Sequence, residues 1–228
     1  MRKITWFLVA TAILALPAVT TTAQAANLVT NGSFEADSFN TGGGYRLGLI
    51  NNDVSGWFIP AGNGIYPWGL QNGNSYGAGP ADTGAQWLVL GQQGTANQYT
   101  IQQTVTGLTP GHAYTLSWAA ASELGCCATG QLSFLAGSTS GGSSFSAPNS
   151  GSYWTQWGHY SLNFVANSSA VTFQFQDVRP NSSGYDLGLD SVSLVAVGVP
   201  EPTSWAMMII GLGLVGVAAR RRSIAVTA

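Results

Sequence analysis

Between residues 27 and 198 apolar and polar positions alternate in short runs, broken by Gly, Asn, Ser and Pro. Tyr99, Ile101, Gln103 and Val105 alternate with Thr100, Gln102 and Thr104. Tyr114, Leu116 and Trp118 share one face of a second run, and Val171, Phe173 and Phe175 share one face of a third. A period of two sends successive side chains to opposite faces of a strand. No stretch of this region has helical periodicity or a run of strong helix formers. Short alternating segments separated by turn residues predict an all-β fold, a two-sheet antiparallel sandwich.

The predicted elements follow in chain order. Asn27 to Glu35 opens with an edge strand and a turn at Asn31-Gly32. Residues 40–85 are loop-rich, with a short strand at Ser55 to Ile59, and Gln86 to Leu90 is a strand. Tyr99 to Val105 and Ala113 to Ala119 form a hairpin-like pair about Leu108-Thr109-Pro110-Gly111, whose proline and glycine suit a tight turn. Gln131 to Ala136 is a strand, and the low-complexity Gly137 to Ser152 is a loop. Gln156 to Val165 is a strand that turns Trp157, His159 and, past a bulge, Leu162 and Phe164 toward the core. Ala170 to Asp177 and Gly188 to Val197 complete the set. Trp57, Trp87, Trp118 and Trp157 are expected in the core by their strand positions.

The two ends of the chain carry a different pattern. Arg2-Lys3 precede an apolar stretch from Ile4 to Val19, and Ala23-Gln24-Ala25 has the small-x-small form of a signal peptidase site. Residues 1–25 therefore read as a signal peptide, and 27–198 as the exported domain. At the other end, Trp205 to Ala219 carries no charge and is followed by Arg220, Arg221 and Arg222. As a helix this run is about 23 Å long, a little under a bilayer's hydrocarbon core. It predicts a single transmembrane helix at 205–219, with the arginines and the tail 223–228 on the cytoplasmic side.

Pro200-Glu201-Pro202, the apolar run and the arginine cluster, in that order, resemble the PEP-CTERM sorting signal of Gram-negative bacteria over 199–222. The resemblance implies export across the inner membrane and transient anchoring by the helix. It also implies cutting near Pro200, Glu201 and Pro202 by a membrane protease, the exosortase, with Arg220, Arg221 and Arg222 as the stop-transfer cluster. Gly211-x-Gly213-x-x-Gly216 inside the run matches a dinucleotide-binding fingerprint, but that motif needs a preceding strand and an acidic residue about 20 positions on. The chain ends first.

Charge narrows the function classes. Five of the seven basic residues lie in the two ends. The exported domain keeps only Arg46 and Arg179 against eight carboxylates, a formal charge of −6, and has no lysine. Nucleic-acid binding, which needs cations to neutralise phosphate, is excluded. A cation or a neutral polysaccharide fits better. Cys126 and Cys127 are adjacent and cannot staple distant elements. They are reduced or locally paired loop cysteines, a strained vicinal disulfide, or a bond to another chain.

A second resemblance spans most of 27–197. It is carried by Asn31-Gly32-Ser33-Phe34-Glu35, Gly56-Trp57, Gln102-Gln103-Thr104-Val105-Thr106-Gly107-Leu108 and Pro110-Gly111-x-x-Tyr114-Thr115-Leu116. Trp157-x-x-Tyr160-x-x-x-Phe164 and Leu189-Asp190-Ser191-Val192-Ser193-Leu194 complete it. In this order they resemble the galactose-binding-like jelly rolls, which include carbohydrate-binding modules and the DUF642 or choice-of-anchor proteins. That implies a jelly-roll sandwich with two sheets of four to five strands, its first and last strands close together. It also implies that Glu35 and Asp190 lie near a structural Ca²⁺, which takes six to eight oxygens. The alternative is that both acids cap turns by accepting backbone N–H bonds.

Tyr66, Trp68 and Tyr76 stand in a Gly- and Asn-rich loop, and Trp154 follows the Ser-rich segment. Aromatic faces stack on sugar rings while amide and carboxylate side chains read hydroxyls, so these four are candidate carbohydrate-binding residues; loop packing is the alternative. Catalysis has little support. Glycosidases need two carboxyl groups at a defined separation, and neither the clustered Glu-x-Asp-x-x-Glu strand of jelly-roll glycosidases nor a Gly-x-Ser-x-Gly elbow occurs. The expectation is a non-enzymatic exported surface or matrix protein, sorted through its tail, that associates with exopolysaccharide in biofilm. Signal peptidase and exosortase are its partners during export. A structural or adhesion protein without a sugar pocket, or a glycan hydrolase, are the alternatives.

Overall fold

A computed structural model describes residues 25–37, 45–46, 49, 51–60, 70–72, 79–90, 100–123, 129–136, 139–148, 156–178, 186–198, 207–216 and 220. Those up to residue 198 form an all-β antiparallel two-sheet sandwich. The strands are β1 (Tyr45–Arg46), β2 (Leu70–Asn72), β3 (Gln86–Leu90), β4 (Thr100–Thr106), β5 (Ala113–Ser122), β6 (Thr129–Ala136), β7 (Thr139–Ser146), β8 (Gly158–Val165), β9 (Ala170–Asp177) and β10 (Leu187–Ala196). One sheet has six strands in the order β1-β2-β3-β10-β5-β8, and the other four in the order β4-β9-β6-β7. Six and four replace the expected four to five because two very short strands, β1 and β2, extend the first sheet beside β3.

Alternation builds the core between the sheets. Ile101 and Val105 of β4, Val171, Phe173 and Phe175 of β9, and Leu132 and Phe134 of β6 point inward from one side. Leu116 and Trp118 of β5 and Leu189, Val192 and Leu194 of β10 meet them from the other. Trp57 packs edge-on against Phe173 with ring centroids 5.6 Å apart, and Trp118 against Phe175 at 5.5 Å. Such contacts add about 0.5–1.5 kcal/mol each beyond area burial. Trp57, Trp87 and Trp118 are buried, as expected; Trp157 is half-buried, edge-on to Trp87 at 6.1 Å.

The expected hairpin of 99–105 with 113–119 is corrected. β4 pairs with β9 in the four-stranded sheet, whereas β5 pairs with β10 and β8 in the six-stranded one. The Leu108 to Gly111 turn crosses between sheets. Leu108 N–H donates to Ser169 O at 3.0 Å and Gly111 N–H to Ala166 O at 2.7 Å, so the turn bonds to the β8–β9 connection. Three further expectations change. Residues 139–146, read as loop, form β7, where Gly141 leaves room for the Phe134 ring: a Cβ there would meet that ring at 2.6 Å. Residues 55–59 make only isolated bridges, Phe58 to Gln102 and Ile59 to Asn51. β8 runs without a bulge, so His159 points to solvent while Tyr160, Leu162 and Phe164 face inward.

The N-terminal segment is not a regular strand. It turns at 30–37 and lies along β10: Leu28 N–H donates to Leu194 O and Val192 N–H to Gly32 O, both at 2.9 Å. A Cβ at Gly32 would stand 1.9 Å from Val192 O, which explains glycine there. The ends of the domain therefore meet, as expected. β10 shifts register between Asp190 and Ser193, with Ser191 at φ 53°, a bulge that re-aims Asp190.

Residues 207–216 are helical and exposed, inside the predicted span 205–219. Among the described residues no helix is long and apolar enough to cross a membrane. Residues 1–24 of the expected signal peptide, and Pro200, Glu201, Pro202, Arg221, Arg222, Cys126, Cys127, Tyr66, Trp68, Tyr76 and Trp154, lie outside the described residues.

Candidate carbohydrate-binding face

Outside the core, the four-stranded sheet presents an unusual surface. Its four strands contain one charged residue, Asp177, and that is buried. The outward positions are Gln102, Thr104 and Thr106 on β4, Thr172, Gln174 and Gln176 on β9, Ser133 and Leu135 on β6, and Ser140, Gly142 and Ser144 on β7. Thr104 and Thr172 face each other and share a hydroxyl hydrogen bond at 2.8 Å.

The β4 edge is extended by residues 57–59. Phe58 N–H donates to Gln102 O at 2.8 Å and Gln102 N–H to Phe58 O at 2.9 Å. Trp57 and Ile59 turn inward, so Phe58 turns outward and is 39% exposed. With Asn52, Gly56, Trp57, Gln102, Gln103 and Thr104 it lines a surface pocket of about 270 Å³. The pocket joins one exposed aromatic to amides and a hydroxyl, which is the composition of a site for an uncharged, hydroxylated ligand.

Gln103 anchors this region from beneath. Its side chain is buried and makes two hydrogen bonds to one backbone unit: Thr30 N–H donates to Oε1 and Nε2–H donates to Thr30 O, both at 2.9 Å. The N-terminal turn is also fixed by Trp57 Nε1–H donating to Asn31 O at 3.0 Å. Sequence reading missed Phe58. Its signal was the inward-outward-inward order of Trp57, Phe58 and Ile59 behind Gly56.

Glu35 and Asp190 do come together, and both cap the same loop. Glu35 Oε1 accepts Ala85 and Gln86 N–H at 2.8 Å each, and Asp190 Oδ2 accepts Thr83 N–H at 2.9 Å. Asp190 Oδ1 also accepts Ser191 N–H at 2.6 Å. Burial raises the Asp190 carboxyl to about 7; the backbone bonds from Thr83 and Ser191 pull the other way, and the Asp82 and Glu35 charges add to the rise. Among the described residues no three of His, Cys, Asp and Glu form a metal-holding group. A cation here would therefore need Glu35 and Asp190 together with backbone carbonyls. The carboxylate oxygens of Glu35 and Asp190 are hard donors, the kind of ligand a calcium ion takes.

Asp82 links this loop to β8. His159 Nε2 lies 2.8 Å from Asp82 Oδ1, and Ser191 Oγ–H donates to Asp82 Oδ2. The carboxylate stands between serine and histidine, so the histidine is not placed to take the serine proton, as a nucleophilic triad requires.

Several solved structures are similar to this chain. Over 75% of this chain and 99% of the other, the chain superposes on TmCBM61 in complex with β-1,4-galactotriose, with 12% identity and a TM-score of 0.51. A family 16 carbohydrate-binding module matches over 74% and 99%, with 18% identity and a TM-score of 0.44. An arabinose-bound GH51 α-L-arabinofuranosidase matches over 76% of this chain but 27% of its own, with 12% identity and a TM-score of 0.48. No curated protein matches the sequence. Residues 198–222 match the PEP-CTERM protein-sorting motif. Residues 27–192 match the model described as "Protein of unknown function (DUF642)", most of the chain, and the protein therefore belongs to the DUF642 family.

Proposed function

We propose that this is an exported, non-enzymatic protein that binds neutral carbohydrate through the Phe58 pocket and is delivered by its PEP-CTERM tail. The observation that carries the binding reading is the partly exposed Phe58 beside Gln102, Thr104 and Asn52, on a sheet whose outward strand positions are uncharged. A ring for a sugar's C–H face and amides for its hydroxyls are the needed parts. The fold shared with TmCBM61, a structure in complex with β-1,4-galactotriose, supports it. Binding to exopolysaccharide in the biofilm matrix gives the tail and the face a common purpose.

The tail supplies the route. Signal peptidase removes residues 1–25, the segment 205–219 holds the protein in the inner membrane, Arg220, Arg221 and Arg222 stay cytoplasmic, and exosortase cuts near Pro200, Glu201 and Pro202. Glu35 and Asp190 hold a structural calcium that ties the N-terminal turn to β10 and offsets the carboxylate cluster. A glycan array tests the binding reading: retention of neutral glycans supports it, and no retention favours a purely structural surface protein. Release of reducing sugar would instead mark a hydrolase.

A further inference from the structure

We propose that the outer face of the four-stranded sheet takes an internal stretch of an extended, uncharged glycan that lies across the strands. This rests on the carbohydrate-binding reading and adds the ligand's charge, shape and direction to it.

Strand register places the contacts in one line. Phe58 is opposite Gln102, Gln102 opposite Gln174, and Gln174 opposite Ser133. Residues paired in this way point to the same face. Ser133 is in turn opposite Gly142 of the edge strand β7. Strands are about 4.8 Å apart, so the line runs roughly 19 Å from the 57–59 segment to β7. Leu135, 55% exposed, stands two residues along β6 from Ser133 and offers a second apolar contact.

The chemistry of this line selects the ligand. A glutamine amide both donates and accepts, as a sugar hydroxyl does, so neighbouring amides can pair with successive hydroxyls of a chain lying at right angles to the strands. A monosaccharide would fill the Phe58 pocket and leave Gln174 and Ser133 unused. An anionic glycan would bring carboxylates to a face whose described residues include no cation, on a domain of formal charge −6. Among the described residues nothing closes the line off at β7, where Gly142 is exposed, so the glycan can continue past the contact there.

Titration calorimetry on the full chain in detergent micelles tests this. The probes are β-1,4-galactan, β-1,4-xylan and β-1,3-glucan, with polygalacturonate and alginate as anionic counterparts, and then di- to hexasaccharides of the polymer bound best. The proposal expects binding of a neutral polymer, none of the anionic pair, and affinity that grows with length up to about the tetrasaccharide. Gln174→Ala should weaken the hexasaccharide about tenfold, the equivalent of one lost hydrogen bond, and leave the disaccharide unchanged. Gln174→Glu, nearly isosteric, should weaken it at least as much while keeping the fold, read by an unchanged thermal midpoint. Hexasaccharide binding insensitive to both variants but lost in Phe58→Ala would confine the ligand to the pocket, overturning this inference and leaving the carbohydrate reading intact. Equal binding of polygalacturonate would also overturn it. If no neutral polymer binds, the carbohydrate reading itself falls.

Discussion

Phe58 and Gln102 exchange both of their backbone hydrogen bonds, at 2.8 and 2.9 Å, and so stand side by side on the outer face of the sandwich. The pairing adds a short extended segment to the β4 edge and turns an aromatic ring outward beside an amide. There an exposed aromatic residue lines a pocket together with amide groups.

Because Phe58 is partly exposed, its loss should act on binding more than on folding. Phe58→Ala is expected to lower the thermal midpoint by no more than a few degrees, since the buried share of the ring is worth about 1–2 kcal/mol. Glycan affinity should fall at least tenfold. Differential scanning fluorimetry and calorimetry on the same preparations separate the two effects.

Gln103, one residue along and facing inward, should behave in the opposite way. Gln103→Leu leaves Thr30 N–H and C=O without their partners. Thr30 itself is exposed, so water takes up part of the loss, and at about 1 kcal/mol net per hydrogen bond the variant should lose about 1–2 kcal/mol in denaturant unfolding. The N-terminal turn should also exchange its amide hydrogens faster.

Asp190 predicts an acid-favoured domain in calcium-free buffer. Its carboxyl sits at about 7 in the folded protein against an ordinary 3.8. The folded state therefore holds the proton more tightly than the unfolded chain, and stability falls as pH rises from about 4 to 7. It levels off above that range. The full contribution is at most about 4 kcal/mol. Asp190→Asn should flatten that part of the curve, measured as the denaturation midpoint from pH 4 to 8.

Calcium should reverse this behaviour. An ion held by Glu35 and Asp190 keeps both ionised, so added calcium should raise the thermal midpoint above pH 7 and chelator should lower it, by mass action on the folded state. Glu35→Gln should abolish the difference. Identical midpoints with calcium and with chelator would leave the two acids as caps of loop 83–86 alone.

How much of this was written plainly in the chain varies by residue. The inward faces were legible: Ile101, Val105, Val171, Phe173, Phe175, Leu116 and Trp118 follow a strict period of two, and all are buried. Pairing was not. Alternation says which side of a strand is wet but not which strand lies beside it. The link from Thr106 to Ala113 therefore read as a hairpin, although its amides bond to the β8–β9 turn. β7 was hidden because Ser and Gly have little intrinsic preference for strands, and packing against Phe134 decided the matter. Glu35 and Asp190 were legible as a pair through the family resemblance, while their shared target, loop 83–86, depended on contacts across about a hundred residues. The Phe58 face was half-visible. Alternation sets Gln102 and Thr104 on the face opposite Ile101 and Val105, but the aromatic beside them comes from a segment whose pairing only the fold reveals.

The most direct test of the account is affinity electrophoresis of the full chain and Phe58→Ala, in detergent, through gels containing β-1,4-galactan, β-1,4-xylan or β-1,3-glucan. The account predicts that at least one neutral polymer slows the unaltered protein and that Phe58→Ala, equally folded, runs as in a gel without polymer. Unretarded migration of the unaltered protein in every gel, or equal retardation of both proteins, would contradict it.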